Sequence, residues 1–511
     1  MENGKGPMLN PPTAGLRLEA AKAAFGSGFA EVVSRVLAVA LAIVTARTLE
    51  PRDVGLLGLA VIVVGVISMI GYYPETAAVA ARGESDHADY ALAAVVIRGC
   101  VVAVLLVLLA ATFGRVADYL IGGPEGRSSF RQLLSILFWA PILECLSGYP
   151  QVILQRRLDL NFLAWMQFVQ PMVFVGLAVT LLFLGGGYLG VAWANVIGTA
   201  AVCPILWLRV WRQGWMSFER RPAPNVWKET IAGSSRIFAG GFGGYLGSRL
   251  DNLLVAGAMG PTVMSYYSMA WNASRTPTGI FSRAINFVLV PTFARIQNEP
   301  ERMERGLRDC LQFSYLLLTP ICGVLLVCAP DLVAIVLGPK WLPLVPALQL
   351  MSVTVLVGPL LDSANALLVG TGRAQMTGVS TIVRIIGLLL LMPLFARRWN
   401  VMGAAWVDLI SGVACTIALL VTVKAAIRNI KWPLFSSMVC PVVAASCSAA
   451  LAWRGGIYMG PGYLRLAAQV SILLVLYPAI VAGLGGRKRL MGLAALFGGI
   501  LKGRIAAASH T

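Results

Sequence analysis

The chain has 511 residues, 58% of them hydrophobic and only 13% charged, where a soluble domain carries about 25% charged residues. Disorder, a disulfide-rich secreted scaffold and an ordinary cytosolic enzyme are excluded, and recurring apolar runs of about 20 residues leave a polytopic membrane protein. Lys and Arg number 41 against 23 Asp and Glu, so a formal net charge of +18 must be distributed along a membrane-bound path.

The first 24 residues are polar and precede the first long apolar run without a signal-peptide core, so the first span is expected to stay in the membrane. Fourteen spans are predicted, at 25–46, 54–74, 91–113, 133–154, 162–184, 188–210, 231–256, 264–292, 309–329, 343–370, 374–396, 401–424, 434–453 and 463–485. The fold class is therefore all-α and polytopic. The expected organisation is a cytoplasmic N-terminus (1–24), a six-helix lobe (25–210), a cytoplasmic linker (211–230) and a second six-helix lobe (231–430). Two further helices (431–486) and a basic cytoplasmic tail (487–511) complete it. Within the tail, 491–504 reads either as a basic amphipathic surface helix or as a frayed end.

With the N-terminus inside, 24 cations fall in inner segments and nine in outer ones, which supports both termini on the cytoplasmic side. Eight arginines lie within spans. Arg98, Arg236 and Arg465 sit near span ends, where they are expected to reach the interface. Arg35, Arg249, Arg275, Arg283 and Arg384 lie deeper. A charge at mid-bilayer costs at least about 2.5–3.5 kcal/mol, so these five are expected to face a cavity or an acid.

Several chemistries are excluded. The nine cysteines form no C-x-x-C pair and read as small reduced hydrophobes. With only His87 and His510, a histidine metal site is not expected. There is no P-loop and no D-x-D pair, so no metal, no cofactor, no catalytic residue and no nucleic-acid partner is expected.

An internal repeat is visible at an offset of 210. Segment 46–60, ARTLEPRDVGLLGLA, aligns without gaps to 256–270, AGAMGPTVMSYYSMA, with Ala46/Ala256, Pro51/Pro261 and Ala60/Ala270 identical. Spans 1–6 would then match 7–12, a parallel repeat of the transporter kind that binds substrate between its halves.

The polar residues of three spans are the candidate cavity lining. Glu31 and Arg35 are spaced i,i+4 and share a face, either as cavity residues or as a buried ion pair. In the eighth span Asn272, Arg275, Gly279, Arg283 and Asn286 advance by three or four residues and form one polar stripe. Guanidinium forks at that spacing suit phosphate oxygens and sugar hydroxyls. The alternative is a stripe packed on acids of other helices. In the seventh span Gly240, Gly243 and Gly247 suit close packing or a bend, and Arg249 and Asp251 follow as neighbours. Arg384 reads as one half of a structural pair with Asp408 or Asp362, and Glu75 and Glu144 are further cavity positions.

Four segments in this order resemble the Wzx-type polysaccharide flippases of the multidrug/oligosaccharidyl-lipid/polysaccharide (MOP) superfamily. They are ARTLEPRDVGLLGLA after the first span and SRLDNLLVAGAMGPTVMSYYSMAWN across the seventh and eighth. PTFARIQNEPERM closes the eighth and GPKWLPLVPALQLM opens the tenth. The resemblance covers roughly 20–430. It implies two six-helix lobes in a V, alternating access, and flipping of an undecaprenyl-pyrophosphate-linked oligosaccharide in a bacterial inner membrane. In related lipid II flippases spans 1, 2, 7 and 8 border the cavity and arginines face the pyrophosphate. Arg35, Arg249, Arg275 and Arg283 lie on the matching spans here.

The expectation is a transporter and not an enzyme, with the bilayer and a lipid-linked glycan as partners and polysaccharide polymerase or export machinery as a further one. A cation-coupled drug exporter of the MATE type is the alternative, disfavoured because deep arginines match the deep carboxylates in number. A membrane-embedded glycosyltransferase or polymerase would need a catalytic outer loop. The longest expected one, 114–132, offers only Asp118 and Glu125.

Overall fold

The structure, a computed structural model, describes residues 33–81, 87–121, 124–216, 222–427 and 434–486. Among the described residues there are helices and no strands. The chain divides into two compact units, Met1–Gly241 and Phe242–Thr511.

Unit 1 carries α1 (33–48), α2 (Pro51–Ala80), α3 (His87–Ile121), α4 (Pro124–Leu137), α5 (Trp139–Arg156), α6 (Leu160–Phe183) and α7 (Gly187–Arg212). α8 (Pro224–Met259) begins there and ends in unit 2. Pro51 at the first helical position presets φ for α2 at no hydrogen-bond cost. Tyr90, Tyr149, Val152, Ile153, Leu206 and Val210 are buried together where α3, α5 and α7 meet, and Tyr149 stacks on Trp207 at 5.3 Å. A second core joins Leu41 and Leu49 to Val175, Ala178 and Leu182 of α6. Gly198 lets α7 pass close to Phe174, whose Cβ a methyl would meet at 3.0 Å.

Unit 2 carries α9 (Pro261–Arg295), α10 (Pro300–Val327), α11 (Ala329–Val336), α12 (Val345–Ser352), α13 (Thr354–Gly370), α14 (Gly378–Ala426), α15 (Leu434–Ile457) and α16 (Tyr463–Val481). Gly260, at φ 84°, turns the chain in the left-handed region, and Pro261 opens α9. α9 lies against α13 at Gly370, where an added methyl would come within 2.8 Å of both Phe293 Cβ and Val290 O. α14 is two arms joined at a kink, with Asn400 at φ 49°.

The three identities of the repeat share an environment. Ala46, Ala60, Ala256 and Ala270 are all buried, and Pro51 and Pro261 each start a helix.

Several expectations are revised. Nine helices among the described residues are long and apolar enough to cross a membrane, or ten with the bent pair α12–α13. The difference from fourteen lies in named segments. α8 and α9, dense in Gly, Ser, Asn and Arg, are absent from those nine. α14 passes as one unit although the sequence divides it at 396–401. α1 is described only from residue 33. The stretch 114–132, expected as an outer loop, is mostly helical in α3 and α4 because Phe130 and Leu133 are buried and Phe113 stacks on Phe130 at 6.2 Å. α8 starts at Pro224, inside the stretch assigned to a linker. Residues 1–32 and 487–511, with Glu31 and the basic tail, lie outside the described residues.

Candidate functional site

Unit 2 encloses an ion cluster built from three helices. Asp408 on the second arm of α14 is fully buried. It accepts from Arg384 Nη2 at 2.9 Å and from Arg275 Nη2 of α9 at 3.3 Å. Asp251 of α8 is likewise fully buried and lies 3.8 Å from Arg384 Nη2. Tyr267 donates to Asp251 at 3.0 Å, as do the backbone and side-chain N–H groups of Asn252. Arg384 Nε donates to Gly247 O at 3.3 Å.

The physical reason for this crowding is desolvation. A lone carboxylate inside an apolar bundle is costly, and a guanidinium in bidentate reach offsets the cost only when other donors complete the shell. Here Arg384 serves two acids and Tyr267 completes Asp251. Arg275 gives Asp408 one hydrogen bond, packs over the Trp271 ring at 5.6 Å, and is 28% exposed. Its Nε is buried without a hydrogen bond, and Nη1 takes no acceptor among the described residues. A short way along α9, Ser282 donates to Asp362 of α13.

Unit 1 holds a second cluster. Arg98 of α3 is buried and bridges two acids, Nη1 to Glu75 Oε1 of α2 at 2.5 Å and Nη2 to Glu144 Oε2 of α5 at 3.0 Å. Two glycines make the slot. A methyl at Gly148 would overlap the Glu75 carboxylate, and one at Gly71 would meet Val102 at 2.9 Å and the Arg98 stem at 3.4 Å. The expectation that Arg98 reaches the interface is thus wrong, because two acids from neighbouring helices hold it inside. Arg465, placed with it, is held by Asp331 of α11.

Of the expected site residues, the structure gathers Asp251 and Arg275 into one cluster with Arg384 and Asp408. Arg249 is exposed and is no partner of Asp251, since residues two apart on a helix point apart. Asn272 is exposed, Asn286 and Arg35 are half-buried, and Arg283 is described only as a position on α9. Tyr267 was missed. So was the Glu75–Arg98–Glu144 group as a unit, although Glu75 and Glu144 are each expected as cavity positions.

The lipid II flippase MurJ in its inward closed conformation superposes with a TM-score of 0.73 over 91% of this chain and 99% of that one, at 13% identity. That likeness shows the fold alone, an all-helical one shared with MurJ. The sequence family "polysaccharide biosynthesis protein" matches residues 44–346, and this chain belongs to that family. Two relatives agree. An uncharacterized membrane protein in the cps region of Klebsiella pneumoniae is 28% identical over 165 residues, 32% of this chain and 33% of that one. The lipopolysaccharide biosynthesis protein WzxC of Escherichia coli K12 is 29% identical over 133 residues, 26% of this chain and 27% of that one. The matches span about a third or less of these relatives' own lengths.

Proposed function

We propose that this protein flips a polyprenyl-pyrophosphate-linked oligosaccharide across the cytoplasmic membrane, by alternating access, for a cell-surface or exported polysaccharide. The head group occupies a hydrated cationic path while the polyprenyl tail stays in lipid. Arg249, Asn272, Arg275 and Asn286 line that path, and no covalent step is needed. Both termini lie on the cytoplasmic side of the inner membrane, and a polysaccharide polymerase receives the product.

The observation that carries this reading is the unspent guanidinium of Arg275. It gives one hydrogen bond to Asp408 and is 28% exposed, on a helix whose polar stripe the membrane would otherwise reject. A guanidinium with unspent donors matches phosphate oxygens. The cation-coupled drug exporter is poorly supported, because Asp251 and Asp408 are fully buried and already share Arg384.

Deleting the gene tests the proposal. Lipid-linked oligosaccharide accumulates on the cytoplasmic face and surface polysaccharide is lost. Unchanged surface polysaccharide with unchanged lipid-linked pools would refute it.

A further inference from the structure

Unit 1 contains a cavity of about 350 Å³ beside the Glu75–Arg98–Glu144 group. That volume falls within the range of small-ligand pockets, about 300–1,000 Å³. Its walls are polar. Ser68 and Tyr72 of α2, Glu144 and Gln151 of α5, and Gln170 of α6 all face it.

Most of these groups are unspent. Gln170, Ser68 and the Tyr72 hydroxyl form no hydrogen bond among the described residues, and Glu144 uses only Oε2, toward Arg98. Gln151 gives one long bond, 3.4 Å, to Ser147. Ser68, Glu144 and Gln151 are half-buried, where a polar group is costly unless something meets it, whereas Tyr72 and Gln170 are exposed. Their pattern also indicates what meets them. The charged side chains on its wall are Glu144 and Arg98; the terminal nitrogens of Arg98 go to Glu75 and Glu144, and its buried Nε has no partner. A pyrophosphate would find no unpaired cation on this wall. A neutral ligand rich in hydroxyls fits, because vicinal hydroxyls donate to a carboxylate and exchange hydrogen bonds with amides, while the Tyr72 ring offers an apolar face to C–H groups.

We propose that this cavity is a saccharide-binding subsite, which takes uncharged sugar residues of the glycan. This inference rests on the flippase reading above and divides recognition between sugar and phosphate chemistry.

The test uses purified full-length protein in nanodiscs and two probes. One is undecaprenyl pyrophosphate. The other is the lipid-linked oligosaccharide that accumulates when this gene is deleted. The wild type binds the sugar-bearing probe more tightly. Gln151→Ala/Gln170→Ala weakens that binding about tenfold, as expected for two lost hydrogen bonds, and leaves the sugar-free probe unchanged. Gln170→Ala alone shows the smaller loss; this exposed side chain has no internal hydrogen bond, so its removal spares the fold. Wild-type affinity in these variants, equal loss for both probes, or equal wild-type affinity for both probes would overturn the subsite. Binding of neither probe by the wild type would instead refute the flippase reading, and the subsite with it.

Discussion

Arg384 and Asp408, on the two arms of α14, meet at 2.9 Å across 24 residues of sequence, and the carboxylate has no exposed surface. The kink at Trp399–Asn400 separates the arms, so the pair clasps one half of the helix to the other. Asp251, 3.8 Å away, ties the same guanidinium to α8.

Breaking a buried pair by removing one partner costs about 3–5 kcal/mol, because the other charge is left alone. Asp408→Asn and Arg384→Met should each lower the unfolding temperature in detergent markedly. The double variant Arg384→Met/Asp408→Leu should lose less than the sum, since no partner is stranded. Strict additivity would show that the pair is not coupled.

Gly148 reads in sequence as a routine small residue of an apolar helix, yet its missing side chain makes room for Glu75. Gly148→Ala should destabilise by about 1–3 kcal/mol, the usual range for overpacking. Gly114→Ala, in open space on α3, should be neutral or stabilising by up to about 1 kcal/mol. Thermal unfolding of the two variants side by side checks the contrast.

Arg98 spans two carboxylates with two different nitrogens, which one ammonium cannot reproduce. Arg98→Lys should therefore lose about 1.5–3 kcal/mol, the worth of one hydrogen bond to a charged group. Full stability in Arg98→Lys would mean that one of the two contacts contributes nothing.

These clusters also show which parts of the structure could be read from the sequence. Hydropathy marks the apolar helices, because each is a local property of about 20 residues. The spacing of Asn272 and Arg275 on α9 is equally local and legible in the sequence. Partner choice is not local. Arg98 looked like an interface residue because its two acids come from α2 and α5, 23 and 46 residues away. Asp251 and Arg249 are neighbours in sequence, yet the partners of Asp251 are Arg384 of α14 and Tyr267 of α9. Arg384 was readable as a structural pair because few deep acids were available, and the structure selects Asp408 over Asp362.

Arg275→Ala and Arg283→Ala should each abolish glycan export while the protein still inserts in the membrane. Surface polysaccharide and membrane-extracted protein, measured in one complemented deletion strain, separate the two effects. Export at wild-type level from both variants would remove these arginines from the substrate path.

The central claim is translocation itself. Purified protein reconstituted into liposomes, with the lipid-linked oligosaccharide loaded on one leaflet, should make that glycan accessible on the other to a membrane-impermeant glycosidase or lectin. Arg275→Ala liposomes should behave as empty ones. Glycan that stays on its original leaflet in wild-type liposomes, under an imposed membrane potential and without one, would contradict the account.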